Sequence, residues 1–136
     1  MNIIQKLQRY RVLKAEIKNI ELDLEELHEA ENIGPSGINY DEKLSPTYKF
    51  NSMTENEAIS IADKSQMLES LKRSKERELE RIDNALSILD DKEREVIELK
   101  HIKGCRWDTV TYKLDRSYSY CKQLENEALV KIEPFL

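Results

Sequence analysis

Apolar positions recur at helical spacing along most of the chain. Ile3, Tyr10, Ile17 and Leu24 stand seven apart, and Leu13, Ile20 and Leu27 fall on a second heptad position, with Lys6 breaking that row. The alternation of four and three from Leu13 to Leu27 is a coiled-coil seam rather than a broad core-facing stripe, so a first helix is expected over about 2–32. Its flanks carry charge at Glu16, Lys18, Glu21, Asp23, Glu25 and Glu26. A seam this narrow stays wet unless a partner helix covers it, from this chain or from another copy. Over residues 33–53 the periodicity stops, and Gly34, Pro35, Gly37 and Pro46 mark an expected loop of about 20 residues, long for a structureless connection. Thr54 and Glu57 then have capping-box spacing. They predict a second helix over about 54–89, with the seam Ile61, Leu68, Leu71, Leu79, Ile82, Leu86 and Leu89, interrupted at Lys75. The stretch from Lys72 to Glu78 interleaves basic and acidic residues and reads as a solvated face.

After Leu89 the elements shorten. Asp90 and Glu93 form a second capping-box start, Val96, Ile97, Leu99 and Ile102 follow as apolar positions, and Gly104 reads as a left-handed C-cap. A two-turn helix from Trp107 to Leu114 buries Trp107, Val110 and Leu114, with Trp107 read as core. The chain breaks at Asp115-Arg116, and Ser117 caps a last helix whose buried row is Cys121, Leu124, Ala128 and Ile132. A short helix, a three-residue turn and a longer helix are the order of a helix-turn-helix. The expected fold is therefore all-α: a long helical hairpin or coiled coil over residues 1–89, serving oligomerisation, followed by a helix-turn-helix domain over 90–136. The buried row leaves Tyr118, Ser119, Lys122, Gln123 and Asn126 facing outward. Lys and Gln read guanine and adenine edges, whereas Tyr and Ser more often hold phosphates. Arg106 and Arg116 are candidate backbone clamps, and Thr109, Lys113 and Ser117 complete the candidate DNA-binding set.

Composition narrows the alternatives. Charged residues make up 36 % of 136 residues, against roughly 25 % in an ordinary soluble protein. With three Gly and three Pro, the chain lacks the turns that an all-β or doubly wound domain needs. No apolar stretch approaches the ~20 residues of a membrane span, and the start, Met1 to Lys6, has no signal-peptide character. A cytosolic protein is expected. Cys105 and Cys121 make no disulfide framework, and with His101 they lack metal-ligand spacing. No phosphate loop or catalytic triad spacing is visible, so neither a cofactor nor an enzymatic activity is expected. Residues 90–136 hold nine Lys/Arg and ten Asp/Glu, a net charge of −1 within a chain total of −5. A phosphate-binding domain usually carries a basic surplus. Here Lys103, Arg106, Lys113, Arg116 and Lys122 gather around the motif, while Asp91, Glu93, Glu95 and Glu98 lie on the preceding helix. Modest affinity from one copy is expected.

The run Leu89-Asp-Asp-Lys-Glu-Arg-Glu-Val-Ile-Glu-Leu-Lys-His-Ile-Lys-Gly104 resembles the opening of the promoter-reading region four of sigma factors. The pattern continues through Trp107, Val110, Leu114, Ser117, Cys121 and Ala128 to Ile132. With the long helical first part and the Ser45-Pro46-Thr47 and Thr54-Glu55 segments, the chain resembles the RinA/ArpU group of phage transcriptional regulators. The motif-bearing likeness covers residues 89–136. It implies a phage-encoded, DNA-binding late-gene activator in a bacterial host cell, oligomeric through its long helices, acting on double-stranded DNA and contacting RNA polymerase. Three positions depart from the pattern: Thr111 where a small Ala is usual, Asp115 where Gly is usual, and Arg106 at a Ser/Thr cap. Two other readings stay open. One is a small terminase subunit for DNA packaging, and the other a helical interaction module that does not bind DNA.

Overall fold

The computed structural model describes the backbone of residues 1–41 and 55–136 and the side chains of 1–30 and 57–136. Five α-helices follow in order: α1 (Ile3–Asp41), α2 (Glu55–Ser87), α3 (Asp91–Ile97), α4 (Trp107–Leu114) and α5 (Tyr118–Ile132). A π-helical segment, Glu98–Ile102, continues α3, and a 3₁₀ turn, Glu133–Phe135, ends the chain. Every regular element among the described residues is helical.

The first helix is longer than its sequence predicts. It runs on through Gly34, Pro35 and Gly37 to Asp41 instead of stopping near residue 32, so residues 33–41 are not the expected loop. A proline inside a helix removes one backbone bond, and the described contacts offer no physical account of the continuation. Residues 42–54, with the rest of that loop and the Thr54 cap, lie outside the described residues. At the other end, the Asn2 side chain accepts from the Gln5 N–H at 2.8 Å and the Gln5 side chain accepts from the Asn2 N–H at 3.0 Å, satisfying orphan groups of the first turn.

The chain divides into two compact units, one of Met1–Glu16 with Lys75–Leu136 and one of Ile17–Ser74. This grouping differs from the sequence division at residue 89, because both long helices contribute to the core beneath the C-terminal helices. In the first unit Leu7 and Leu13 of α1, Ile82, Ala85 and Leu86 of α2, Leu89, Ile97 of α3, and Ala128 and Ile132 of α5 form one cluster. Leu7 takes the place that Lys6 vacates in the heptad row. A second cluster joins Val96, Leu99, Val110, Cys121 and Leu124, with Trp107, Leu114 and Cys105 partly buried against it.

Polar contacts fix how α1 meets α2 in this unit. Tyr10 Oη donates to Asp83 at 2.7 Å, Arg9 pairs with Glu78 at 2.9 Å, and Lys75 pairs with Glu16. Residue numbers fall along α2 as they rise along α1, so these segments run antiparallel. The interruption of the α2 seam at Lys75 is therefore an ion-pair position. The hydrogen bond from Lys75 holds the Glu16 carboxyl below its ordinary range. Burial, followed by the bond to Asp83, pushes the Tyr10 phenol up to about 12.

The second unit buries Ile17 and Ile20, as the heptads predict. Leu24, Leu27, Ile61 and Leu68 are half-buried. Leu71, expected in the seam, is instead 46 % exposed, beside the exposed Met67.

Candidate nucleic-acid interface

Local chemistry sets the path from α3 to α5. At the start of α3, Glu93 accepts from the Asp90 N–H at 3.1 Å, the arm of the capping box that the sequence predicts. Glu93 is almost fully buried and also takes the Lys131 ammonium at 2.8 Å, tying α3 to the end of α5. Burial raises its carboxyl, but the Lys131 and Asp90 hydrogen bonds outweigh that and hold it below the ordinary range.

The π segment follows from bonds one residue longer than the α pattern, such as Lys103 N–H to Glu98 C=O at 2.8 Å. Gly104 then adopts φ +72°, and the Cys105 N–H returns to Leu99 C=O at 2.8 Å. The positive φ places Gly104 in the left-handed role expected of it.

The bounds of α4 and α5 fall where the sequence places them. Arg106 precedes α4 without a side-chain cap bond. Thr111 turns its hydroxyl onto its own helix, donating to Asp108 C=O at 2.9 Å. Asp115 sits at φ 54°, ψ 45°, a conformation that Asp tolerates better than most non-glycine residues. Ser117 Oγ accepts from the Tyr120 N–H at 3.2 Å and caps α5. Cys121, Leu124, Ala128 and Ile132 are buried along α5, and burial alone pushes the Cys121 thiol up.

Of the candidate residues, Arg106, Lys113, Arg116, Ser117, Tyr118, Ser119, Gln123 and Asn126 are exposed, whereas Thr109 and Lys122 are half-buried. The polar row is not unengaged. Lys122 Nζ lies 3.1 Å from Glu125 and 5.0 Å from the Trp107 ring centre. Gln123 donates to Glu127 at 3.2 Å, and the Arg116 guanidinium stacks 5.7 Å from the Tyr120 ring. The Lys122–Glu125 and Gln123–Glu127 bonds lie within α5, so a ligand that offers acceptors competes with them directly.

Trp107 packs against the second cluster, as expected of a core residue, but part of its ring stays open. It is half-buried, with the Lys100 ammonium 5.2 Å from its ring, Lys122 near the same ring, and Tyr118 edge-on at 5.5 Å. An indole beside two lysines is a cation–π centre.

One buried polar pair lies outside the candidate set. His101 Nε2 and Glu125 Oε2 lie 2.7 Å apart, and both side chains are nearly inaccessible to solvent. Their signal was present: His101 falls four residues after buried Ile97, and Glu125 four after buried Cys121, both on buried rows. Through its other oxygen Glu125 holds Lys122, so a buried bond on the π segment steadies a side chain of the polar row. No group of three His, Cys, Asp or Glu among the described residues is arranged to hold a metal ion, and no described helix is long and apolar enough to cross a membrane.

One family, described as Protein of unknown function (DUF722), matches residues 2–134. The chain belongs to this family. No curated protein and no solved structure matches it. The DUF722 match spans both long helices and the C-terminal segment.

Proposed function

We propose that this DUF722 chain is a sequence-specific DNA-binding transcriptional regulator of the phage activator type, with α4 and α5 as its helix-turn-helix and α5 as the recognition helix. One observation carries the reading. A left-handed Asp115 and a Ser117 cap join two helices over a shared apolar cluster, the opposite side of α5 is left as a polar row, and Arg106, Lys113 and Arg116 are exposed on α4 and its two ends. A major groove admits one such helix. Lys122 and Gln123 are assigned to base edges. Tyr118, Ser119 and Asn126, with the three flanking cations, Thr109 and Ser117, are assigned mainly to backbone and positioning contacts.

The antiparallel segments of α1 and α2 support a hairpin that carries this motif. Self-association through the long helices, and a contact with RNA polymerase, belong to the same proposal. Binding selection from a randomised duplex pool tests it. The wild type should enrich a discrete site, and Lys122→Ala with Gln123→Ala should lose that preference, each good base contact being worth about 1–3 kcal/mol of discrimination. If the double variant enriches the same site, the residue assignment fails.

A second reading, a helical interaction module that does not bind DNA, is favoured by the bonds that already occupy Lys122 and Gln123. It requires that duplex binding show no dependence on salt. Native mass separates a dimeric regulator from a ring of eight or more subunits, as the terminase reading requires.

A further inference from the structure

A cleft of about 580 Å³ opens between α1, α2, α3 and the π segment of the first unit. Among its lining residues are Arg11, Lys14 and Lys103, all exposed. None of the three has a carboxylate partner among the described residues. Two acids, Asp83 and Glu98, line the same cleft, and Asp83 already accepts from the Tyr10 hydroxyl at 2.7 Å.

These cations are physically continuous with the α4–α5 surface. Arg11 Nη1 donates to Lys103 C=O at 3.2 Å, which seats α1 against the loop that leads into α4. Lys100 Nζ reaches Cys105 C=O at 3.4 Å within that loop and lies over one side of the Trp107 system that Lys122 also approaches. A chain of contacts thus leads from α5 over Trp107 and the 103–106 loop to α1.

We propose that Arg11 and Lys14 of α1 are part of the DNA-binding surface and grip duplex phosphates beside the α4–α5 motif. This rests on the DNA-binding function proposed above. It also answers the charge deficit of residues 90–136. The first sixteen residues bring four Lys/Arg against one Asp/Glu, so the first compact unit holds sixteen basic and fifteen acidic residues, a net of +1. The phosphate contacts that a basic surplus would provide come from a helix distant in sequence. Phosphate contacts add affinity and salt dependence without sequence information.

The experiment measures binding of the full chain to a mixed-sequence duplex across a salt series, with the selected site measured alongside. Arg11→Gln with Lys14→Gln should weaken both duplexes by the same factor and lower the log–log salt slope by about two, one for each lost contact. Lys14→Gln alone should lower it by about one. Lys14 touches the fold through the Tyr10 ring at 4.7 Å, so this variant spares the Arg11–loop bond. Lys64→Gln, an exposed position in the second unit, should leave the slope unchanged. Unfolding midpoints equal to wild type show that the surface, not the fold, has changed. A wild type that binds with a salt slope unaffected by Lys14→Gln overturns the role of α1 and leaves the regulator reading standing. A wild type with no salt-dependent binding overturns both.

Discussion

The two compact units divide the charge and the core unequally. Ile17–Ser74 holds six Lys/Arg and twelve Asp/Glu, a net of −6 against +1 for the other unit. Of sixteen buried apolar side chains among the described residues, Ile17 and Ile20 are the two that belong to it. The same two helices run through both units, so helix propensity does not explain the contrast. What differs is the number of faces in contact. Near Leu7, Ile82 and Ile97 three or more helices converge and each apolar stripe finds a partner. Along the second unit a heptad seam dries a narrow line and leaves its flanks to water. Domain boundaries drawn from composition follow the chain; cores follow the convergence of helices.

The contrast predicts where truncation hurts. Ile97→Ala, at a fully buried site of the larger cluster, should cost about 2–5 kcal/mol by the lost apolar transfer and the cavity left behind. Leu68→Ala, half-buried in the second unit, should cost about 1 kcal/mol. Denaturant unfolding of the two variants checks this, and equal losses would abolish the distinction between the units.

Next in size is the buried polar pair of the first unit. Glu125→Ala strands His101 without its partner and should cost about 1–3 kcal/mol, with Glu125→Gln recovering part by keeping a hydrogen-bonding group there. The same variant releases Lys122, so altered DNA selectivity in Glu125→Gln at near-normal stability would separate positioning from folding.

Much of this unit was legible in the sequence. The ends of α3, α4 and α5 were readable because caps and glycine stand at them: Asp90 and Glu93, Gly104, Asp115, Ser117. Each is a local rule in which one side chain or one φ value satisfies orphan backbone groups. The continuation of α1 to Asp41 was not legible, because Gly34, Pro35 and Gly37 all argue for termination. The π segment was hidden too, since its extra residue changes no propensity. The spacing of His101 and Glu125 puts each on a buried row, but it does not show that the two polar side chains meet. In the candidate interface, the exposed cations around α4 and α5 could be named from sequence. Arg11 and Lys14 could not, because their relevance depends on α1 lying against the 103–106 loop, a contact 92 residues apart.

Acid should erode the first unit through Glu93. Its carboxyl is held below the ordinary 4.5 in the fold, so the unfolded chain binds more protons in that range. Its stabilisation is therefore complete above about pH 4.5 and is lost as pH falls through the folded value. Lys131, raised by the same pair, works in the opposite direction: its contribution is present below 10.5 and is lost as pH rises through its folded value. Denaturant unfolding at a series of acidic pH values should give a shallower fall for Glu93→Gln than for wild type. Parallel curves would assign acid sensitivity to other carboxyls, Glu16 among them.

The smallest intrinsic effect is expected on the exposed apolar side of the second unit. Met67 is 71 % exposed and Leu71 46 %, four residues apart on α2. In a chain that stands alone, Met67→Gln with Leu71→Gln removes little buried area, and stability should change by no more than about 0.5 kcal/mol. In a chain that associates through its long helices, the same pair lies where a second copy supplies the missing face. The loss of stability is then coupled to assembly and grows as the protein is diluted. Unfolding at two protein concentrations, with native mass measured on both forms, discriminates the cases. A double variant that keeps the wild-type mass shows that these residues do not hold copies together.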